Sequence, residues 1–122
     1  MLNHVSVGTN QFQPAVKFYD AVMGALSIER SYLIENTAAA YGVNFEFWVT
    51  LPCNNKASAG NGVHVAFTAP SNDAVDAFYL AAMELGGSCE GKPGFRPEYG
   101  PTYYAAYVKD LDGNKIEAVS MT

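Results

Sequence analysis

The chain repeats itself. His4-Val5 opens one stretch and His64-Val65 opens another, sixty positions later. At the same offset Phe18-Tyr19 matches Phe78-Tyr79, Ala21 matches Ala81 and Met23 matches Met83. Self-similarity at a fixed period marks a duplicated structural unit, and this limits the architecture before any local element is assigned. It also sets the only two histidines of the protein at equivalent places. An approximate two-fold axis between the copies would bring them to related positions.

Each copy reads β-α-β-β-β. His4 to Gly8 alternates as a strand. Phe12, Ala15, Val16, Tyr19, Val22, Met23 and Leu26 then form one helical stripe, with Asn10 and Gln13 as capping residues and Pro14 in the first turn. Strands are expected at Glu29 to Ile34, Ala38 to Tyr41 and Asn44 to Leu51. In the second copy Val63 to Thr68 is a strand. Ser71-Asn72-Asp73 caps a helix that turns Ala74, Val75, Phe78, Ala82 and Leu85 inward and closes at Gly86-Gly87. Cys89 begins a short strand, and Gly91 to Thr102, with three prolines and three glycines, reads as a loop. Tyr103 to Lys109 and Lys115 to Ser120 are strands joined by the hairpin signal Asp112-Gly113. The expectation is one α+β domain over residues 1–122. Module 1 covers about 1–52, a polar linker about 53–61 and module 2 about 62–122. Its eight strands would curve into a half-open barrel of mixed sheet, with the helices outside and a pocket on the concave face.

Charge and composition narrow the function classes. A net charge of -5, with seven scattered basic residues, argues against nucleic acid. No apolar run approaches a membrane span, and the N-terminus lacks a basic segment followed by an apolar one, so a soluble cytoplasmic protein is expected. Cys53 and Cys89 have no metal spacing and read as free thiols.

His4, His64 and Glu117 are polar residues inside strands of small or apolar residues, and Glu46 is another. Gly42 to Glu46 parallels Gly113 to Glu117, a glycine followed four residues later by a glutamate. Each copy thus offers one histidine and one glutamate. Two imidazoles with one or two carboxylates suit Zn, Ni, Co, Mn or Fe(II). A strand histidine is more often merely hydrogen-bonded, and a strand glutamate more often faces solvent. The symmetry of the four residues favours a metal. Trp48 shares a face with Glu46 by alternation and would fill the same space.

These features together resemble the vicinal oxygen chelate superfamily of glyoxalase I, type I extradiol dioxygenases, fosfomycin-resistance transferases and bleomycin-resistance proteins. The resemblance covers nearly the whole chain. It rests on LNHVSVGTN with AVKFYDAVMGALS, on GVHVAFTAP, and most strongly on YYAAYVKDLDGNKIEAV, which is similar to the family's closing DPDG-x-x-IE hairpin with Leu111 for the usual proline. FWV, HVAFTAPS and GKPGFRPEYGPTYYAAYV add a likeness to short bacterial glyoxalase-like proteins. The resemblance implies metal positions at His4, His64 and Glu117, a fourth at Glu46, and a homodimer.

Such a metal implies bidentate chelation of vicinal oxygens on a small-molecule substrate. Glu117 is the better ligand and Glu46 the better catalytic base. Arg96, Tyr99, Tyr103 and Tyr104 would bind an anionic or aromatic substrate. Of the adjacent Tyr103 and Tyr104, one must face the core. Three readings stand. The first is a metal-dependent glyoxalase-like lyase or isomerase. The second is an extradiol-type Fe(II) dioxygenase using His4, His64 and Glu117. The third is a metal-free binding protein of bleomycin-resistance type, with Trp48 and the tyrosines lining an aromatic groove.

Overall fold

A computed structural model describes residues 1–122. The order of elements follows the duplication. Module 1 contains β1 (Val5–Gly8), α1 (Phe12–Ala25), β2 (Arg30–Ile34), β3 (Ala38–Tyr41) and β4 (Phe47–Thr50). Module 2 contains β5 (His64–Thr68), α2 (Asn72–Glu84), β6 (Ser88–Phe95), β7 (Tyr104–Lys109) and β8 (Lys115–Ser120).

Both modules share one topology. Module 1 forms a four-stranded sheet in the order β1-β4-β3-β2, and module 2 repeats it as β5-β8-β7-β6. The first and last strands of each module pair in parallel, and the other pairs are antiparallel. The eight strands thus divide into two open sheets, and β1 and β5 are each a free edge. One face of each sheet is closed by its helix, and α1 and α2 pack on each other. A single core therefore crosses both modules, from Tyr19 and Val22 of α1 to Phe78 of α2. Phe47 and Phe67 meet edge to face across the boundary, 4.9 Å between ring centroids.

The helical stripe of α1 is buried as its spacing predicts. Its start differs from expectation. Gln11 takes the cap position without a side-chain bond. Asn10 is drawn instead to the linker, where its amide donates to the Ala57 carbonyl at 3.0 Å and accepts from the Ala57 N–H at 2.7 Å. Thr9 Oγ1 accepts from the Gln11 N–H at 3.0 Å in its place. In α2 the Ser71 hydroxyl accepts from the Ala74 N–H at 3.1 Å, as the sequence predicts.

Two strands depart from expectation. The segment 91–95 belongs to β6 and is not part of a loop. Its glycines and Pro93 are tolerated because β6 is a sheet edge whose register slips at Gly91 and again before Gly94. At β4 the strand starts at Phe47, since Phe45 adopts a left-handed φ of 58°. No helix is long and apolar enough to cross a membrane.

Candidate functional site

The parallel pairing of β5 with β8 builds the centre of the site. It sets His64 opposite Lys115 and Ala66 opposite Glu117. Alternation then sends His64, Lys115 and Glu117 to one sheet face, while Val65 and Ile116 go to the helix side. His64 Nε2 lies 3.1 Å from Glu117 Oε1. The Tyr103 hydroxyl donates to Glu117 Oε2 at 2.5 Å. Both carboxylate oxygens therefore have a partner, as a side chain only 2% exposed requires. Burial, and then the Glu117 carboxylate, push the Tyr103 phenol well above its ordinary pKa. The same two causes raise Tyr107, which Arg96 partly opposes.

These groups line a cavity of about 550 Å³, together with Arg96, Tyr99 and Lys115. Arg96, Tyr99 and Tyr103 are thus brought to the His64–Glu117 pair. Tyr104 is not. It sits on the opposite face of β7, and its hydroxyl donates to Asp76 Oδ1 of α2 at 2.6 Å. Adjacent strand residues face opposite ways, and Tyr103 holds the cavity side. Sequence reasoning missed Lys115 and Tyr107. Alternation from Glu117 along β8, and from Tyr103 along β7, is the signal that finds them.

Module 1 holds its residues elsewhere. His4 and Glu46 line a separate cavity of about 680 Å³ between the modules. Both are exposed. His4 Nδ1 lies 2.7 Å from Asn3 Oδ1, and Glu46 Oε1 accepts from the Asn44 N–H at 2.8 Å. No three His, Cys, Asp or Glu side chains of the chain converge as metal ligands. The expected meeting of His4 with His64 and Glu117 does not occur within one chain: His4 lines one cavity, and His64 and Glu117 another.

The register also corrects the internal alignment of the glutamates. In module 1 Val5 lies opposite Phe47 and Ser6 opposite Trp48. In module 2 Val65 lies opposite Ile116 and Ala66 opposite Glu117. Trp48 is therefore the counterpart of Glu117. Glu46, level with His4, is the counterpart of Lys115. The glycine-to-glutamate spacing misleads because Gly42 opens its turn, its carbonyl accepting from the Phe45 N–H, whereas Gly113 closes one, its N–H donating to the Asp110 carbonyl. Trp48 is half-buried and donates its indole N–H to the Phe45 carbonyl at 2.8 Å. Its ring lies 6.4 Å from that of His4 and 6.0 Å from that of Tyr32.

The donors fit a first-row divalent ion in part. His64 and Glu117 supply one imidazole and one buried carboxylate, hydrogen-bonded on its far oxygen as ligating carboxylates are. His4 is the remaining imidazole, and it is exposed at a free sheet edge.

The model of the Glyoxalase/Bleomycin resistance protein/Dioxygenase superfamily matches residues 1–118. A glyoxalase/bleomycin resistance protein from Albidiferax ferrireducens T118 is 38% identical, with 98% of each chain covered and a TM-score of 0.87. Lactoylglutathione lyase from Agrobacterium tumefaciens is 17% identical over 98% of this chain and 92% of its own, with a TM-score of 0.66. The genomically encoded fosfomycin resistance protein FosX from Listeria monocytogenes is 15% identical over 100% of this chain and 93% of its own, with a TM-score of 0.71. The last two share the fold. No curated protein matches the chain.

Proposed function

The chain belongs to the Glyoxalase/Bleomycin resistance protein/Dioxygenase superfamily, and from that premise we propose that it is a divalent-metal-dependent enzyme of glyoxalase type, a lyase or isomerase for a small oxygenated metabolite. One observation carries the reading. Glu117 is a buried carboxylate with one oxygen 3.1 Å from His64 Nε2 and the other held by Tyr103. An ion held by His4, His64 and Glu117 supplies Lewis acidity toward vicinal oxygens of the substrate. Zinc, nickel, cobalt, manganese and ferrous iron all suit this set. Tyr103 fixes the rotation of the Glu117 carboxylate. Glu46, exposed and level with His4, is the base that moves the substrate proton.

A homodimer completes the site. The two histidines sit at the start of β5 and just before β1, and both strands are free edges. A second copy sets module 1 of one chain against module 2 of the other, so His4 of one copy joins His64 and Glu117 of the next. Tyr32 (47% exposed), Phe45 (44%) and half-buried Trp48 give module 1 an aromatic face for that contact. We place the enzyme in the cytoplasm, where its exposed free thiols Cys53 and Cys89 stay reduced.

The register at Trp48 favours a second reading. With tryptophan in place of a fourth ligand, the set is two histidines and one carboxylate. This is the ligand set of Fe(II) oxygenases. Oxygen uptake with catechols separates this reading from the first.

Metal analysis of protein purified without chelator tests both. Stoichiometric metal is expected. His64→Ala should lower it to background while circular dichroism stays native, because the His64 side chain is 44% exposed and carries little packing. Full metal content in that variant, or native protein that takes up no Co(II), overturns the proposal.

A further inference from the structure

We infer that Arg96 and Lys115 form an anion subsite beside His64 and Glu117, and that the substrate is a small organic acid held there by its carboxylate. The inference deepens the proposed function and rests on it for the identity of the reacting centre.

The backbone of β6 prepares the position of Arg96. Where its register slips between Gly91 and Gly94, the Lys92 carbonyl leaves the ladder. Arg96 Nη2 donates to that carbonyl at 2.6 Å, and Nη1 to the Phe95 carbonyl at 3.4 Å. The two glycines make the room. A Cβ at Gly91 would lie 2.9 Å from Tyr107 Cδ1 and 3.3 Å from Arg96 Nη2, and one at Gly94 would lie 3.1 Å from Nη1. The guanidinium carbon thereby reaches 5.4 Å from the Tyr107 ring centroid. Lys115 arrives from β8, on the other flank of β7, with Nζ 5.5 Å from the same centroid.

Neither cation is in an ion pair. The chain's ion pairs are Arg30–Asp20 and His64–Glu117. Glu90 and Glu98 also line the cavity but pair with neither cation. The partners of Arg96 are neutral carbonyls, and Glu117 is engaged by His64 and Tyr103. Two unpaired cations at one ring repel each other, and a bound anion relieves this. The planar guanidinium favours a carboxylate, which it can grip with two parallel bonds. Glu90 and Glu98 disfavour a dianion. The Tyr107 ring lies 6.3 Å from that of His64, so a carboxylate at the cations leaves the rest of a small acid at the His64–Glu117 pair.

Benzoate and benzamide differ in charge and little in shape, so they test the inference. Each is titrated into metal-free protein and followed by amide chemical shifts. Benzoate should move Gly91, Arg96 and Lys115, and benzamide should bind at least about tenfold more weakly. Arg96→Met and Lys115→Met should each weaken benzoate. Gly91→Ala should do so as well, by displacing an arginine that is still present. Equal binding of the two probes, binding of neither, or native benzoate affinity in the Arg96→Met/Lys115→Met double variant overturns the subsite. A Co(II) titration of the same native sample keeps the two claims apart. Benzoate binding without Co(II) uptake sinks the metal and leaves the subsite, and the reverse result sinks the subsite alone.

Discussion

The Tyr19 hydroxyl donates a 2.6 Å hydrogen bond to Oδ2 of Asp110, joining the helix of one module to the last hairpin of the other. Asp110 also accepts from the Asn114 side-chain amide and from the Asp112 and Asn114 backbone N–H groups, each at 2.9 Å. Asp112 in turn accepts from the Asn10 N–H at 2.9 Å. The Asp110-Leu111-Asp112-Gly113 turn is therefore a clasp between modules. It places β8, and with it Glu117, relative to α1.

Tyr19→Phe removes one donor from the clasp and leaves a nearly buried carboxylate short of a partner. Hydrogen bonds to charged groups contribute about 1.5–3 kcal/mol. Urea unfolding of the variant should show a stability loss of that order, with an unchanged slope against denaturant. A loss within error of zero would mean that the clasp contributes nothing to holding the modules together.

The same tyrosine gives the protein an alkaline limit. Burial, then the Asp110 charge, raise the Tyr19 pKa, and burial, then Asp20, raise that of Tyr41. The folded state therefore holds these protons more tightly than the unfolded chain. Their stabilisation is complete below the unfolded tyrosine value of about 10 and is lost as pH rises beyond it. Unfolding midpoints should fall from about pH 10 upward, and less steeply for Tyr19→Phe. Identical slopes for the two proteins would rule out Tyr19 as a source.

The duplication was legible because it is written in residue identity at one offset, and the shared strand order follows from it. Helix α1 was legible because its buried stripe keeps a single period. The extent of β6 was hidden, since Gly91, Pro93 and Gly94 carry loop propensity and only the edge position makes them tolerable. The site was half legible. Residue type picked out His64 and Glu117, and their pairing comes from a parallel register that no local pattern encodes. Glu46 was misaligned with Glu117 for the same reason. Spacing from a glycine does not fix which residue stands opposite which, and the register gives that place to Trp48. Lys115 was overlooked although it lies two residues before Glu117, on the same face.

Tyr103 donates its hydroxyl to the proposed metal ligand Glu117. Tyr103→Phe leaves Glu117 Oε2 without its donor. Partners of ligating groups typically change metal affinity by about 10–100-fold. Co(II) binding to Tyr103→Phe should weaken within that range, and urea stability should fall by about 1.5–3 kcal/mol, since the carboxylate left without its donor is buried. Unaltered Co(II) affinity would show that Tyr103 does not position the carboxylate.

The dimer and the metal should be lost together. His4 lies in a different cavity from His64 and Glu117, so a lone chain offers only two of the three ligands. Tyr32 and Phe45 meet at a tilt, 6.1 Å between ring centroids, on the exposed face of module 1, and neither is one of the three ligands. Tyr32→Lys with Phe45→Lys puts two like charges on that face and penalises the contact of copies without touching a ligand. Sedimentation should show the native protein as a dimer and the double variant as a monomer. The monomer's Co(II) affinity should fall to that of a two-ligand site, and crowding it at high concentration should restore both properties in parallel. A monomer that keeps native Co(II) affinity would mean that one chain closes the site by moving its own modules, and the two-copy arrangement would then be wrong.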